Sequence, residues 1–288
     1  MSAPRLAILV ASPEEARRAL RSGADFVLAP ARRERPAFGV PERLQTAAGP
    51  QLHYAVSADE SLPSDPRPVA RIAAPADLAA LRGEGYVAAL LDPERALLRA
   101  FSLDALADFV AACRRAGLEC WLGGALELPD VPRLRVIEPD ALVFEALDEE
   151  GMRGARAMLV PEVSPSAPTR IDTVRVRDLV VSMRIGAYRF EQDRSQRVRF
   201  NLEIDVRRPV VRPLAMEDVY SYDLVLDAIR RLTETGHVAL VETLAEDLAT
   251  AVLQDPRVET VRARVEKLDL GPEAVGIEIR RTRSDLTS

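Results

Sequence analysis

The sequence predicts two domains of different class, an α/β domain over residues 1–160 and an α+β domain over residues 171–288. Three observations carry this. Short apolar runs alternate with helical patterns through the first half, which argues for a parallel sheet or barrel with helices packed outside it. Residues 161–170, Pro161-Glu-Val-Ser-Pro-Ser-Ala-Pro-Thr-Arg170, then have the composition of an extended, semi-rigid spacer. Beyond the spacer the pattern changes to long strands of period two in the order ββααββ, the signature of an antiparallel sheet with its helices on one face.

The bulk properties agree with two folded domains. A chain of 288 residues is long enough to bury two cores. With 48% hydrophobic and 29% charged residues it is not a disordered chain. No apolar run approaches the roughly 20 residues that span a bilayer. The run at 6–10 is too short for a signal-peptide core and leads into a charged helix pattern, so a cytoplasmic protein with no membrane partner is expected. The net charge of −6 is spread over both halves, with 19 arginines against 23 acids in residues 1–160 and 20 basic against 22 acidic residues in 161–288. Neither half has the basic excess of a nucleic-acid binder. Cys113 and Cys120 stand seven apart where a helix gives way to a strand, a spacing that suits neither a disulfide framework nor a zinc site; buried thiols and no metal are expected.

In the first domain, strands are predicted at 6–10, 25–29, 52–56, 69–73, 87–91, 120–122 and 141–144. Ser12-Pro13-Glu14-Glu15 supplies the N-cap, first-turn proline and early acids of a helix running to about 22. A second helix is predicted at 102–116, and 152–160 is a candidate last element. His53 lies in a strand with no partner at a telling spacing and is read as core or surface; Trp121 is read as core. The clusters Arg32-Arg33-Glu34-Arg35 and Asp148-Glu149-Glu150 are read as solvated loops.

In the second domain, 196–206 alternates strictly, with Val198, Phe200, Leu202, Ile204 and Val206 on one face and charged or amide residues on the other. With a strand at 174–181 it forms a hairpin around 186–195. Helices follow at 222–232 and 241–253, the second carrying a capping-box match at Thr243-Leu-Ala-Glu246, and His237 falls in the loop before it. Strands at 258–267 and 275–280 close the domain.

One residue stands apart. Lys267 is the only lysine in the chain, against 38 arginines. Guanidinium stays protonated, whereas an ammonium can be tuned to give up its proton and manage a water. Period two places Lys267 with Val261, Ala263 and Val265, on the apolar face of its strand.

Four segments in order now resemble dihydroneopterin aldolase, of the tunnelling-fold superfamily, over about 172–283. They are Ile185-Gly-Ala-Tyr-Arg-Phe-Glu-Gln192 followed by Gln196; Ser221-Tyr222; Ala239-Leu-Val-Glu242; and Val265-Glu-Lys267 followed by Val275-Gly-Ile277. The resemblance implies a lyase that cleaves the side chain of dihydroneopterin to hydroxymethyl-dihydropterin and glycolaldehyde, with no cofactor, metal or Schiff base. It implies Glu242 as the carboxylate that accepts from the pterin's ring N–H and amine together, with the backbone of Leu240 and Val241 at the pterin's carbonyl edge. Lys267 with a water, Glu191 and Tyr222 take the proton-transfer duties. A lysine in a mostly apolar pocket has its charged form disfavoured and can serve near neutral pH. The family closes rings of subunits with sites between neighbours, which implies a homo-oligomer, a tetramer or octamer, and two unpaired sheet edges give it a physical motive. Leu268 stands where aldolases commonly have proline. A Lys-Leu pair also resembles the sister family that epimerises dihydroneopterin triphosphate. A pterin-binding scaffold without turnover is the alternative from another class.

The first domain resembles, in patches, the furan phosphate synthase of methanofuran biosynthesis, a (β/α)8-barrel enzyme. The patches are Leu9-Val-Ala-Ser-Pro13, Gly23-Ala-Asp25, Leu90-Leu-Asp92 and Ser102-Leu-Asp-Ala-Leu-Ala-Asp-Phe-Val110 leading to Gly123-Gly-Ala125. That family relies on barrel lysines, and this domain has none; Pro30 stands about where the first should be. Against the ~250 residues of a full barrel, this domain is well short. A degenerate or partial barrel is expected, non-catalytic, with a structural or partner-binding role, and the pairing of domains raises a tetrahydromethanopterin rather than a folate destination.

Overall fold

The computed structural model describes residues 3–30, 52–57, 68–93, 95–160, 170–192, 194–208, 213–234, 236–271 and 273–287. They form two compact units, Met1–Val160 and Pro161–Ser288. Of the features read from the sequence, the cluster at 32–35 and the spacer over 161–169 lie outside the described residues.

In the first unit seven parallel strands close on themselves: β1 (Arg5–Leu9), β2 (Phe26–Pro30), β3 (Leu52–Ser57), β4 (Pro68–Ile72), β5 (Ala88–Leu91), β6 (Glu119–Leu122) and β7 (Ala141–Phe144). The last strand returns to the first, with Leu6 opposite Leu142 and Ile8 opposite Phe144. The barrel is thus short by one strand of the usual eight, among the described residues, and still closed. Its interior shows how a smaller ring is filled: Ala7, Ala88 and Ala141 leave room for the rings of Phe26 and Trp121, all buried in one cluster with Leu28, Val69, Leu90 and Val143. Helices α1 (Pro13–Arg21), α2 (Leu78–Gly83), α3 (Leu97–Ala100), α4 (Leu103–Ala116), α5 (Asp130–Arg135) and α6 (Glu149–Leu159) connect the strands. Ser12 caps α1 through the Glu15 N–H, and Asp148, read as part of a loop, caps α6 through the Gly151 N–H. Gly117 ends α4 at φ 72°, a conformation that favours glycine. Cys113 on α4 and Cys120 on β6 are buried and unbridged; the bond between the two thiols, together with burial, pushes the Cys120 thiol up.

The second unit is a five-stranded sheet in the order β10-β8-β9-β11-β12, made of β8 (Arg170–Ile185), β9 (Ser195–Arg208), β10 (His237–Val238), β11 (Val258–Lys267) and β12 (Val275–Thr282). Helix α7 (Arg189–Gln192) lies in the β8–β9 connection, and α8 (Asp223–Glu234) and α9 (Val241–Leu253) follow. The strict alternation of β9 is realised as burial, with Val198, Phe200 and Ile204 fully buried against Leu244, Leu248 and Ala249 of α9.

Three details differ from the sequence reading. His237 is not in a loop: it and Val238 form a short strand parallel to Arg184–Ile185, which makes the sheet mixed at that edge. The capping box at Thr243–Glu246 does not form: α9 starts at Val241, as its pattern predicts, with Leu240 as an N-cap that makes no side-chain bond. Glu246 instead pairs with Arg281 of β12. Strand β8 runs longer than predicted, continuing through a bulge between Val176 and Leu179 where Asp178 sits at φ 52° and gives its N–H to Asn201 Oδ1 at 2.9 Å.

Candidate active site

Lys267 is the last residue of β11, paired with Val198 on one side and Val275 on the other. Its neighbours on the apolar face, Val261, Ala263 and Val265, are fully buried, and its own side chain is 13% exposed. The ammonium Nζ lies 3.0 Å from Oε1 of Glu191. Glu191 comes from α7, 76 residues away in sequence, and its side chain is 2% exposed.

A buried carboxylate is costly unless its oxygens are satisfied, and here both are. Oε1 accepts from Lys267 and from Gln196 Nε2, each at 3.0 Å, and Oε2 accepts the Tyr188 N–H at 3.1 Å. Burial alone would push the Glu191 carboxyl up; the bonds from Gln196, Lys267 and the Tyr188 backbone, with the lysine's charge, outweigh it and hold the carboxyl below its usual range. The Gln196 amide also donates to the Ile185 carbonyl, which ties the carboxylate to the end of β8.

Gly186 makes this geometry available. It follows β8 at φ 138°, a backbone conformation that L side chains rarely adopt, and a β-carbon there would fall 2.2 Å from the Glu191 carboxyl carbon. The carboxylate therefore occupies the space where residue 186 would otherwise carry a side chain. Beyond Lys267 the chain is also pinned. Leu268 gives its N–H to the Arg197 carbonyl at 2.9 Å, a bond that proline could not make, and Asp269 accepts from the Arg197 N–H at 2.7 Å and from its guanidinium at 2.8 and 2.9 Å. The backbone bond from Arg197 and then its side chain hold the Asp269 carboxyl low.

The other predicted residues approach from a second direction. Strand β10 runs beside Arg184–Ile185, and Gly186 N–H donates to the Val238 carbonyl at 2.9 Å. Leu240, Val241 and Glu242 leave from that point into the first turn of α9. Glu242 and Leu240 are exposed, Val241 is half-buried, and the first N–H groups of α9 have no side-chain cap. Tyr222 precedes α8 and is 62% exposed. The structure thus joins Lys267 and Glu191 directly, and fastens Leu240–Glu242 to the same strand end. Among the described residues no side-chain bond joins Glu242 or Tyr222 to the pair.

Two residues at the centre of this network were not among the predicted site residues. Gln196 carries a signal that periodicity could have exposed, since it is the one amide on the face of β9 that continues as Val198, Phe200 and Leu202. Gly186 stands in the first of the four resembling segments, but nothing in its periodicity marks it beyond being a glycine at a strand end.

Comparison with known proteins bears on both units. A family model described as dihydroneopterin aldolase matches residues 174–280, and one described as 4-HFC-P synthase matches residues 64–158. No curated protein matches the chain. Among solved structures, a dihydroneopterin aldolase from Burkholderia thailendensis bound to guanine is 31% identical, with a TM-score of 0.35, over 39% of this chain and 91% of that one. A putative dihydroneopterin aldolase from Vibrio cholerae is 30% identical, with a TM-score of 0.37, over 39% of this chain and 98% of its own. The Escherichia coli dihydroneopterin aldolase in complex with neopterin is 26% identical, with a TM-score of 0.34, over 38% and 98%. Through residues 174–280, this chain belongs to the dihydroneopterin aldolase family.

Proposed function

We propose that the second unit catalyses retro-aldol cleavage of 7,8-dihydroneopterin, or a phosphorylated form of it, to 6-hydroxymethyl-7,8-dihydropterin and glycolaldehyde. The observation that carries this is the buried Lys267–Glu191 pair, with all the chain's lysine chemistry at one point inside the family match. Cleavage removes a proton from the side-chain hydroxyl, breaks the adjacent carbon–carbon bond to release glycolaldehyde, and parks the electron pair in the pterin's ring imine. The carbon left on the ring then takes up a proton, so the proton count balances. Lys267 with a water, Glu191 and Tyr222 supply and accept these protons.

Glu242 binds the pterin's ring N–H and exocyclic amine through its two carboxylate oxygens. The uncapped N–H groups at the start of α9, around Leu240 and Val241, meet the pterin's carbonyl oxygen. Relatives with guanine and neopterin bound support a ligand that presents this edge. Tyr222, Tyr188, Leu240 and Val275 are large side chains left exposed on the single chain, and β8 and β12 each have an edge that pairs with nothing over most of its length among the described residues. Both features support a homo-oligomer, a tetramer or octamer, in which a neighbouring copy covers the site. The adjoining match to a 4-HFC-P synthase family supports a methanopterin-type cofactor as the destination of the product.

The test is an assay of the full chain with dihydroneopterin, its cyclic phosphate and its triphosphate. Release of glycolaldehyde from either of the first two is the expected result. Epimerisation of the triphosphate without any glycolaldehyde would replace the aldolase with the epimerase, and tight pterin binding with no product over hours would leave a scaffold.

A further inference from the structure

We infer, resting on the lyase reading above, that Asp269 is a positioning residue for Lys267: clamped by Arg197 of β9, it holds the chain just beyond β11 in the register and direction that bring the ammonium to Glu191. Lys267 is the last residue of β11, and the ends of elements are where local opening begins. A slip of one residue in the β9–β11 pairing would carry Lys267 from the buried face of the sheet to the polar one. The amine also stands at the tip of a flexible four-carbon stem, so a small turn of the backbone at 267 becomes a large displacement of Nζ. Holding the amine against a carboxylate requires that the backbone be fixed at this point.

Two carboxylates flank Lys267, and both are gripped from β9. Before it, buried Glu266 accepts from Arg199 Nε at 3.2 Å and Nη2 at 3.1 Å, and from Arg264 Nη2 at 2.7 Å. After it, Asp269 Oδ2 accepts the Arg197 N–H at 2.7 Å, while Oδ1 accepts from Arg197 Nε at 2.9 Å and Nη2 at 2.8 Å. The Leu268 N–H closes the ring by donating to the Arg197 carbonyl at 2.9 Å. Arg197 and Arg199 stand on either side of Val198, the residue of β9 that pairs with Lys267. The chain is thus tied before and after the lysine, at the level of a single cross-strand pair. The Arg197 side chain is 61% exposed, and an ion pair that open to solvent adds little to stability. What it supplies is direction, because backbone and guanidinium of one residue converge on a carboxylate that is only 19% exposed, and the fork has one good fit. The Arg175–Glu203 pair on the same polar face shows the contrast. There Arg175 Nε meets one oxygen of Glu203 at 3.0 Å, both side chains are nearly half exposed, and no backbone donor joins them among the described residues.

The test uses the full chain grown with isotope-labelled lysine, whose NMR spectrum holds one set of lysine side-chain signals because Lys267 is the only lysine. Asp269→Ala removes all three bonds from Arg197; it should broaden or split the Lys267 signals and slow single-turnover release of glycolaldehyde ~10-fold or more. Pterin affinity, carried by Glu242 and α9, should change far less. Arg197→Met keeps both backbone bonds and should show the same changes to a smaller degree. Arg175→Met removes an ion pair from the same face and should leave signal and rate as in the parent chain. Lysine signals unmoved in Asp269→Ala, signals disturbed with the rate unchanged, or an equal disturbance in Arg175→Met would each overturn the inference. Should Asp269→Ala fail to fold, Arg197→Met decides by the same criteria. The lysine signals need no substrate, so a chain that shows the expected signal changes but releases no glycolaldehyde keeps the clamp and refutes the lyase reading.

Discussion

Gly186→Ala is the substitution that most directly tests how the Lys267–Glu191 pair is built. A β-carbon at 186 would stand 2.2 Å from the Glu191 carboxyl carbon, whereas ordinary contact begins at 3.4 Å, so the carboxylate must retreat by about 1.2 Å. Such a move cannot keep bonds of 3.0 Å to both Lys267 and Gln196 and 3.1 Å to the Tyr188 N–H. A misplacement of ~1 Å in reacting groups costs about 100-fold in rate. The added φ strain at 138° costs ~1–3 kcal/mol of stability, which a domain of this size survives. The expected result is therefore a folded chain that releases glycolaldehyde about 100-fold more slowly, with pterin affinity changed far less, because Glu242 and α9 are untouched. The assay pairs single-turnover product release with equilibrium pterin binding and a thermal melt. If Gly186→Ala melts normally and turns over within a few-fold of the parent chain, the carboxylate position does not matter to the chemistry and the reasoning fails.

Three further outcomes follow from the same geometry. Lys267→Arg keeps the positive charge but not the proton chemistry, so it should bind pterin and turn over ~100-fold more slowly; Lys267→Met controls for the bulk of guanidinium, and an Arg variant within a few-fold of the parent would remove the lysine from the mechanism. Glu242→Gln should raise the pterin dissociation constant with a smaller effect on the single-turnover rate, since an amide cannot accept from both ring donors; unchanged affinity by calorimetry would count against the assigned contact. Because Glu191 is held below its unfolded value of about 4.3, its contribution to stability is complete above that pH and is lost as the pH falls through the lower folded value. Denaturant melts from pH 7 to 3 should show this loss, and Glu191→Gln should flatten the acid limb; an identical limb in both proteins would refute the assignment.

Much of the fold was legible because period and punctuation are local. All seven barrel strands lie within a few residues of their predicted positions, since each is a short apolar run bounded by a cap or a turn signal. Closure with seven strands was not legible, because it depends on alanines at 7, 88 and 141 meeting rings at 26 and 121 across the barrel. The short strand at His237–Val238 was missed for a similar reason. Two residues have no period, and what makes them a strand is the backbone of Arg184–Ile185 waiting beside them. At α9 the sequence offered a capping box and the structure declined it, starting the helix where β10 delivers the chain rather than where the cap chemistry is best.

The site divides along the same line, and the division explains why a lone lysine was informative. Lys267 could be placed on the apolar face of its strand from alternation alone, and the burial of Val261, Ala263 and Val265 shows that face to be the core. What alternation could not supply was the counter-charge, because Glu191 reaches the lysine from a one-turn helix across a sequence gap of 76 residues. An ammonium set on an apolar face needs an acceptor, and the chain provides it by leaving residue 186 without a side chain and by placing an amide, Gln196, in an otherwise apolar stripe. A polar residue that breaks an apolar stripe and a glycine at a strand end are weak signals separately. Together with a cation on the neighbouring strand of the same face, they specify where a buried carboxylate has to sit.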